Sequence, residues 1–236
     1  MFLSAKNWKP LPDKTNLFFP VKQFYAIMAT GADVSIKAVA FDYGGVIAFF
    51  QDADAMKDMA DMAGIDESLM KKIYWDNRSI YDQGLVDGIG FYKHILTDIG
   101  VFADPDLLEK LIVRDMESWS HVNPKSEKLI RELKTSGIKL GILSNMVQDF
   151  LDRIKDTLPV FDLMDTNVFS CEVGRVKPDN KIYGILLSRL GCKAEELVFF
   201  DDLELNVNAA LAMGIHSFLW TNPEEARKDL ELLGVF

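Results

Sequence analysis

Residues 36–47 read Ile36-Lys37-Ala38-Val39-Ala40-Phe41-Asp42-Tyr43-Gly44-Gly45-Val46-Ile47, a short apolar run that stops on an aspartate and two glycines. Runs of this length without polar alternation suit strands buried on both faces. Ile36 to Phe41 is therefore read as the first strand. Four later stretches have the same character: Ile138 to Leu143, Asn167 to Ser170, Leu197 to Phe200, and His216 to Trp220. From Ile138 onward they alternate with helix-like segments, the pattern of a parallel sheet covered by helices. The expected fold class is α/β, with a Rossmann-like parallel sheet as its core.

Almost a hundred residues with helical periodicity separate the first strand from the second. Candidate helices are Asp54 to Ala63, Glu67 to Trp75, Gly88 to Ile99, and Asp106 to Trp119, the last preceded by Asp104-Pro105 as cap and first turn. So long a connection in a compact domain usually serves a purpose such as covering a site. The expected organisation is an N-terminal extension (1–34), a core (35–51 and 122–236) and an inserted four-helix-type cap (52–121). Pro178 to Leu190 reads as a core helix ended by Gly191, and Asn222-Pro223-Glu224-Glu225 as the start of a final helix.

Ligands of open parallel sheets bind beyond the carboxyl ends of the strands. Here the first run ends in Asp42, the second in Ser144-Asn145, the third leads to Lys177-Pro178, and the fourth ends in Asp201-Asp202. A lone aspartate would read as a turn residue or helix cap. An ordered set of carboxylate, hydroxyl and amide, lysine and acidic pair reads as a phosphoryl-transfer site. Asp42 is placed to attack phosphorus. Mg²⁺ held by oxygens of Asp42, a backbone carbonyl and Asp201 or Asp202 would offset the repulsion between the two anions. Ser144 and Asn145 can donate to phosphoryl oxygens, and Lys177 supplies a point charge.

In that order the motifs resemble those of the haloacid dehalogenase superfamily over residues 36 to 221: Phe41-Asp42-Tyr43-Gly44-Gly45-Val46-Ile47, Leu143-Ser144-Asn145, Val176-Lys177-Pro178, and Phe199-Phe200-Asp201-Asp202 followed by Asn206 and Gly214. The resemblance implies that Asp42 is the nucleophile and that the Gly44 carbonyl is a metal ligand. It also implies that Ser144 binds phosphate, that Lys177 neutralises charge, and that Asp202 with Asp201 completes the Mg²⁺ site. The helical insertion resembles the superfamily's C1 cap. The wording of the last two motifs is similar to that of sugar-phosphate phosphatases and of epoxide-hydrolase N-terminal phosphatases. Candidate substrate contacts are Tyr43, Gly44, Gly45, Ser144, Asn145 and Arg78, the last lying where caps of this type face the substrate; a surface salt bridge is the alternative for Arg78.

Gly44 departs from the pattern, because relatives that are phosphatases usually carry a second aspartate there as general acid and base. Such help is worth ~10²- to 10⁴-fold. Asp52, Asp54 or a bound water are the candidate replacements. Dehalogenases of the superfamily also lack that aspartate and need no metal, so hydrolytic dehalogenation is an alternative. A catalytically weak binding or regulatory protein is another.

The chain has 236 residues, 49% hydrophobic and 26% charged, with a net charge of -10. That charge argues against nucleic acid and anionic membranes as partners. The expected partner is a small phosphorylated molecule. Only two cysteines occur, Cys171 and Cys192, so a reducing cytoplasm is the expected compartment. Residues 1–34 are apolar in places but interrupted, which favours an extension or a later start at Met28 over a signal peptide. Lys71, Lys72 and Lys93 are read as solvated helix faces, Cys171 as a small buried hydrophobe, and His94, His121 and His216 as carrying no chemistry.

Overall fold

The structure is a computed structural model and describes residues 35–236. The expected N-terminal extension lies outside those residues. Five parallel strands, β1 (Ala38–Phe41), β2 (Lys139–Ser144), β3 (Thr166–Phe169), β4 (Leu197–Asp201) and β5 (His216–Leu219), form one sheet in the order β3-β2-β1-β4-β5. Every run read as a strand falls on one of them, with edges shifted by a residue or two. All four residues of β1 are fully buried, because the central strand of a doubly covered sheet has no wet face.

Four helices follow β1 as the insertion, α1 (Ala55–Ala63), α2 (Glu67–Asp82), α3 (Gly88–Thr97) and α4 (Pro105–Ser118), and a fifth, α5 (Pro124–Thr135), leads into β2. Three of the four begin on an aspartate whose carboxylate accepts a backbone N–H: Asp66 from Ser68, Asp87 from Gly90, and Asp104 from Leu107. The second helix runs seven residues past the expected end at Trp75. Polar residues 76–79 interrupt the apolar periodicity, yet the buried stripe resumes at Tyr81, one heptad after Tyr74, and the Arg78–Asp82 pair spans the intervening turn.

Beyond β2 the chain continues through α6 (Gln148–Ile154), β3, α7 (Ser170–Val173), α8 (Asn180–Leu190), β4, α9 (Glu204–Ala212), β5 and α10 (Pro223–Leu232). The α8 helix starts two residues after Pro178, where Asp179 accepts from Lys181 N. Asn222 caps α10 through Glu225 N as expected.

The strand order changes direction at β1. The chain builds β2 and β3 on one side, then crosses to β4 and β5 on the other, which opens a crevice at the carboxyl end of β1. Both connections to the helical insertion leave the core there side by side. Ala48 and Val122 form an antiparallel bridge, with backbone hydrogen bonds Phe49 N to His121 O and Asn123 N to Ile47 O, each 2.9 Å. No helix among the described residues is long and apolar enough to cross a membrane.

Candidate active site

Asp42 is the first residue past β1. Its N–H still extends the sheet, donating to Phe200 O, while its Oδ1 accepts from Tyr43 N at 2.7 Å. The chain then turns sharply. Gly45 takes φ +73°, and a Cβ there would lie 2.6 Å from an Asp202 carboxylate oxygen, so both backbone and space require glycine. Gly44 is different. At φ -68° and ψ 134° any residue could stand there, but a Cβ would lie 2.9 Å from the Trp119 indole. The space a side chain at position 44 would enter is filled by an aromatic ring from the end of α4.

Lys177 is buried between two carboxylates, its Nζ 2.8 Å from Asp42 Oδ1 and 2.7 Å from Asp201 Oδ2. Its loop is clasped by Asn145, whose Oδ1 accepts from Lys177 N at 2.8 Å and whose Nδ2 donates to Lys177 O at 3.2 Å. Asp201 Oδ1 accepts from Leu203 N and Asn206 Nδ2, both at 2.9 Å. Burial raises the Asp42 carboxyl to about 7 against the pull of Lys177, and the negative charges of Asp201 and Asp202 add to the rise. Burial also raises Asp202, followed by the charge of Asp201. Burial pulls the Lys177 ammonium down, yet Asp201 and Asp42 outweigh it and leave it raised.

Asp42, Asp201 and Asp202 can each present an oxygen within 4.8 Å of the others. Against three carboxylates stands one ammonium, so two negative charges lack a partner. An all-oxygen donor set with that deficit fits a hard divalent cation such as Mg²⁺.

Asp42, Lys177 and Asp202 line the floor of a pocket of about 380 Å³, with Asp201 behind the lysine. Its upper walls are largely apolar, supplied by Phe50, Trp75, Met116, Trp119, Phe150 and Leu203. Arg78 also lines it, but not as a surface residue. Its Nε donates to Asp82 Oδ1 at 2.8 Å, its Nη1 lies 3.5 Å from Asp115 Oδ2, and its guanidinium sits over the rings of Tyr74 and Tyr81. The insertion is tied to the core nearby. Ser170 Oγ donates to Asp82 O at 2.6 Å, and Gly88 N donates to Asp149 Oδ2 at 3.0 Å.

Residues 36–214 match the haloacid dehalogenase-like hydrolase family. The chain belongs to that family. Among curated proteins, Phosphatase MT3486 of Mycobacterium tuberculosis is 24% identical over 213 residues, covering 85% of this chain and 96% of its own. A 114-residue stretch, 47% of this chain, is 33% identical to mouse Acyl-CoA dehydrogenase family member 10, of which it spans only 10%. Among solved structures, a member of the family from Bacteroides thetaiotaomicron in complex with magnesium and inorganic phosphate superposes with a TM-score of 0.67, at 19% identity, over 79% of this chain and 95% of that one. The last match speaks to the fold. The protein is a hydrolase of this family, and its matching relatives include phosphatases.

For a family site, the placement of the residues singled out in the sequence is uneven. Asp42, Tyr43, Gly44, Ser144, Asn145, Lys177, Asp202 and Arg78 all line the pocket, and Asp201 stands behind Lys177. Gly45 shapes the turn against Asp202. The Asn145 amide is occupied by the Lys177 backbone, so its side chain holds the lysine loop. Neither Asp52 nor Asp54 lines the pocket. Asp52 pairs with Arg114 at 2.5 Å, a contact that holds its carboxyl below the usual range. That makes Asp52 a poor proton donor and corrects the expectation. Lys71, Lys72 and Lys93 are exposed as expected, with Lys71 and Lys72 paired to Glu67 and Asp76 on their own helix. Cys171 is only half-buried, and both cysteines are free. Trp119, Asp82 and Asp115 were not singled out. For Asp115 a signal existed, an acid on the stripe of Leu108, Leu111 and Ile112; for Trp119 none did.

Proposed function

We propose that this chain is a Mg²⁺-dependent phosphatase of small phosphorylated metabolites, with Asp42 as the nucleophile. The observation that carries the reading is the Lys177 ammonium between Asp42 and Asp201 at the floor of the pocket, beside a third carboxylate. The phosphatase named among the relatives supports it.

In this reading an Asp42 oxygen attacks phosphorus, the bond to the ester oxygen breaks, and an aspartyl-phosphate forms as the alkoxide leaves and takes its proton from water. Water then attacks that phosphorus, releasing phosphate and returning the carboxylate. Lys177 holds Asp42 in place and neutralises charge on the transferring group. Ser144 and the backbone N–H groups of the turn after β1 donate to the phosphoryl oxygens. Asp42, Asp201, Asp202 and the Gly44 carbonyl would hold Mg²⁺, which when bound polarises the phosphoryl group and offsets its charge. The indole at position 119 leaves no room for a general acid on residue 44, so esters whose alcohols depart without a donated proton react fastest. We assign 35–51 and 122–236 to the core, 52–121 to a cap that excludes water, and the protein to the cytoplasm.

The absent side chain at position 44 also suits hydrolytic dehalogenation, and the two readings part on metal dependence. The test is phosphate release from an activated aryl phosphate with and without Mg²⁺, for wild type and Asp42→Asn. Release that needs both the metal and Asp42 supports the phosphatase. No phosphate under any condition, with chloride released from a haloacid in EDTA, sinks it in favour of the alternative.

A further inference from the structure

Resting on the phosphatase reading, we propose that the phosphate is carried by an apolar alcohol, an extended or aromatic hydrocarbon group without a second charge, and not by a sugar. The walls above the carboxylates offer rings and aliphatic chains. Phe50 and Trp119 meet edge to face at 5.5 Å, and Met116 and Phe150 continue the lining. At the mouth, Phe50, Trp75 and Leu203 are 59, 46 and 54% exposed. Three large apolar side chains held half in water around one opening form a collar that a hydrocarbon would cover.

The polar groups of the upper pocket do not compensate. Arg78 is the cation on that side of the lining, and its charge is already shared between Asp82 and Asp115, both buried. Two carboxylates against one guanidinium leave the cluster negative, so a second phosphate or a carboxylate on the substrate would be repelled where it might otherwise be clamped. A sugar would bring several hydroxyls against this wall. Each one left without a partner weakens binding by about tenfold. A methylene added to a hydrocarbon tail strengthens it by about fourfold while the tail remains inside. A pocket of about 380 Å³ is at the small end for such sites, so longer tails would lie along the exposed collar.

The experiment compares kcat/KM, with Mg²⁺, for acetyl phosphate, for n-alkyl monophosphates from ethyl to octyl, and for glucose 6-phosphate and 3-phosphoglycerate. A rise of about fourfold per methylene, with the sugar phosphate and the phosphate that also carries a carboxylate at least a hundredfold below octyl phosphate, is the expected result. A flat series, or a sugar phosphate that matches the octyl ester, overturns the proposal. Acetyl phosphate needs little protonation and has no tail, so its failure to react counts against the phosphatase reading itself. In that event calorimetry with n-alkylphosphonates still decides: affinity that climbs with chain length supports the apolar site, and affinity independent of length removes it. Trp75→Gln and Phe50→Gln should reduce the gain per methylene to about twofold. That slope is a ratio within one preparation, which partial unfolding does not change.

Discussion

At the floor of the pocket Lys177 stands between Asp42 and Asp201 with Asp202 beside them; at the roof Arg78 stands between Asp82 and Asp115. Each group buries one cation among more carboxylates than it can neutralise. The roof makes up the difference with neutral donors, for Asp115 also accepts from Tyr74 Oη at 2.8 Å and from Gln51 Nε2 at 3.4 Å. Burial raises the proton affinity of Asp115 as it does those of Asp42 and Asp202, but the floor also brings oxygens of three carboxylates within 4.8 Å of one another. A buried ionic cluster completed by the fold's own donors belongs to the architecture, whereas one left short of positive charge is built for something that arrives.

Replacing each of the two cations separates the two clusters by the largest effect. Lys177→Met should lower turnover of an activated aryl phosphate by about 10³-fold, and Mg²⁺ should recover part of the accompanying loss in melting temperature. Arg78→Met should destabilise the protein by about 3–5 kcal/mol, because it strands two buried carboxylates, and Mg²⁺ should recover none of it. Equal rescue of both variants in thermal melts would erase the distinction drawn above.

The floor's charge deficit can also be read against pH. The Asp42 carboxyl is raised in the folded protein, so its contribution to stability is fully present below the ordinary carboxylate range and is lost as pH rises through about 7. Asp42→Asn, which cannot ionise, should therefore gain on wild type between pH 4 and 8, by about 2–4 kcal/mol in metal-free buffer. Saturating Mg²⁺ should remove the gain. A difference in denaturation midpoint that stays constant with pH would contradict the account.

The smallest effect concerns the glycine beneath the roof. Gly44→Asp should destabilise by about 1–3 kcal/mol through overpacking against the indole. Combined with Trp119→Leu, the double variant should be more stable than the sum of the single changes predicts, a coupling read from a double-mutant cycle. Additivity would show that backbone, not ring, sets the limit at position 44.

The floor was legible in the sequence as a set, whereas of the roof only Arg78 was, for a physical reason. In a parallel sheet each strand delivers its last residues to one edge, so Asp42, Ser144 and Asp201 announce themselves as polar residues closing apolar runs. The lysine follows by its place in that order. Trp119 meets Gly44 only because the insertion folds back over the core, and no local pattern encodes that contact. Arg78 was named among the residues facing the substrate and does line the pocket, but its helix was expected to end at Trp75, and its pairing with Asp82 and Asp115, on two different helices, has no local pattern either. The loss of room at residue 44 could be read as a missing acid, but not as a space already taken.

The paired crossings at Ala48 and Val122 have a mechanical consequence. Two connections fastened to each other behave as one hinge pin, which permits swinging and resists sliding or twisting. For the insertion to swing away, Ser170 must release the Asp82 carbonyl and Asp149 must release the Gly88 amide, while the backbone bonds at the pin persist. The Gly88 amide should therefore exchange with solvent deuterium well before that of Phe49; simultaneous exchange would mean that the insertion leaves by unfolding at its root.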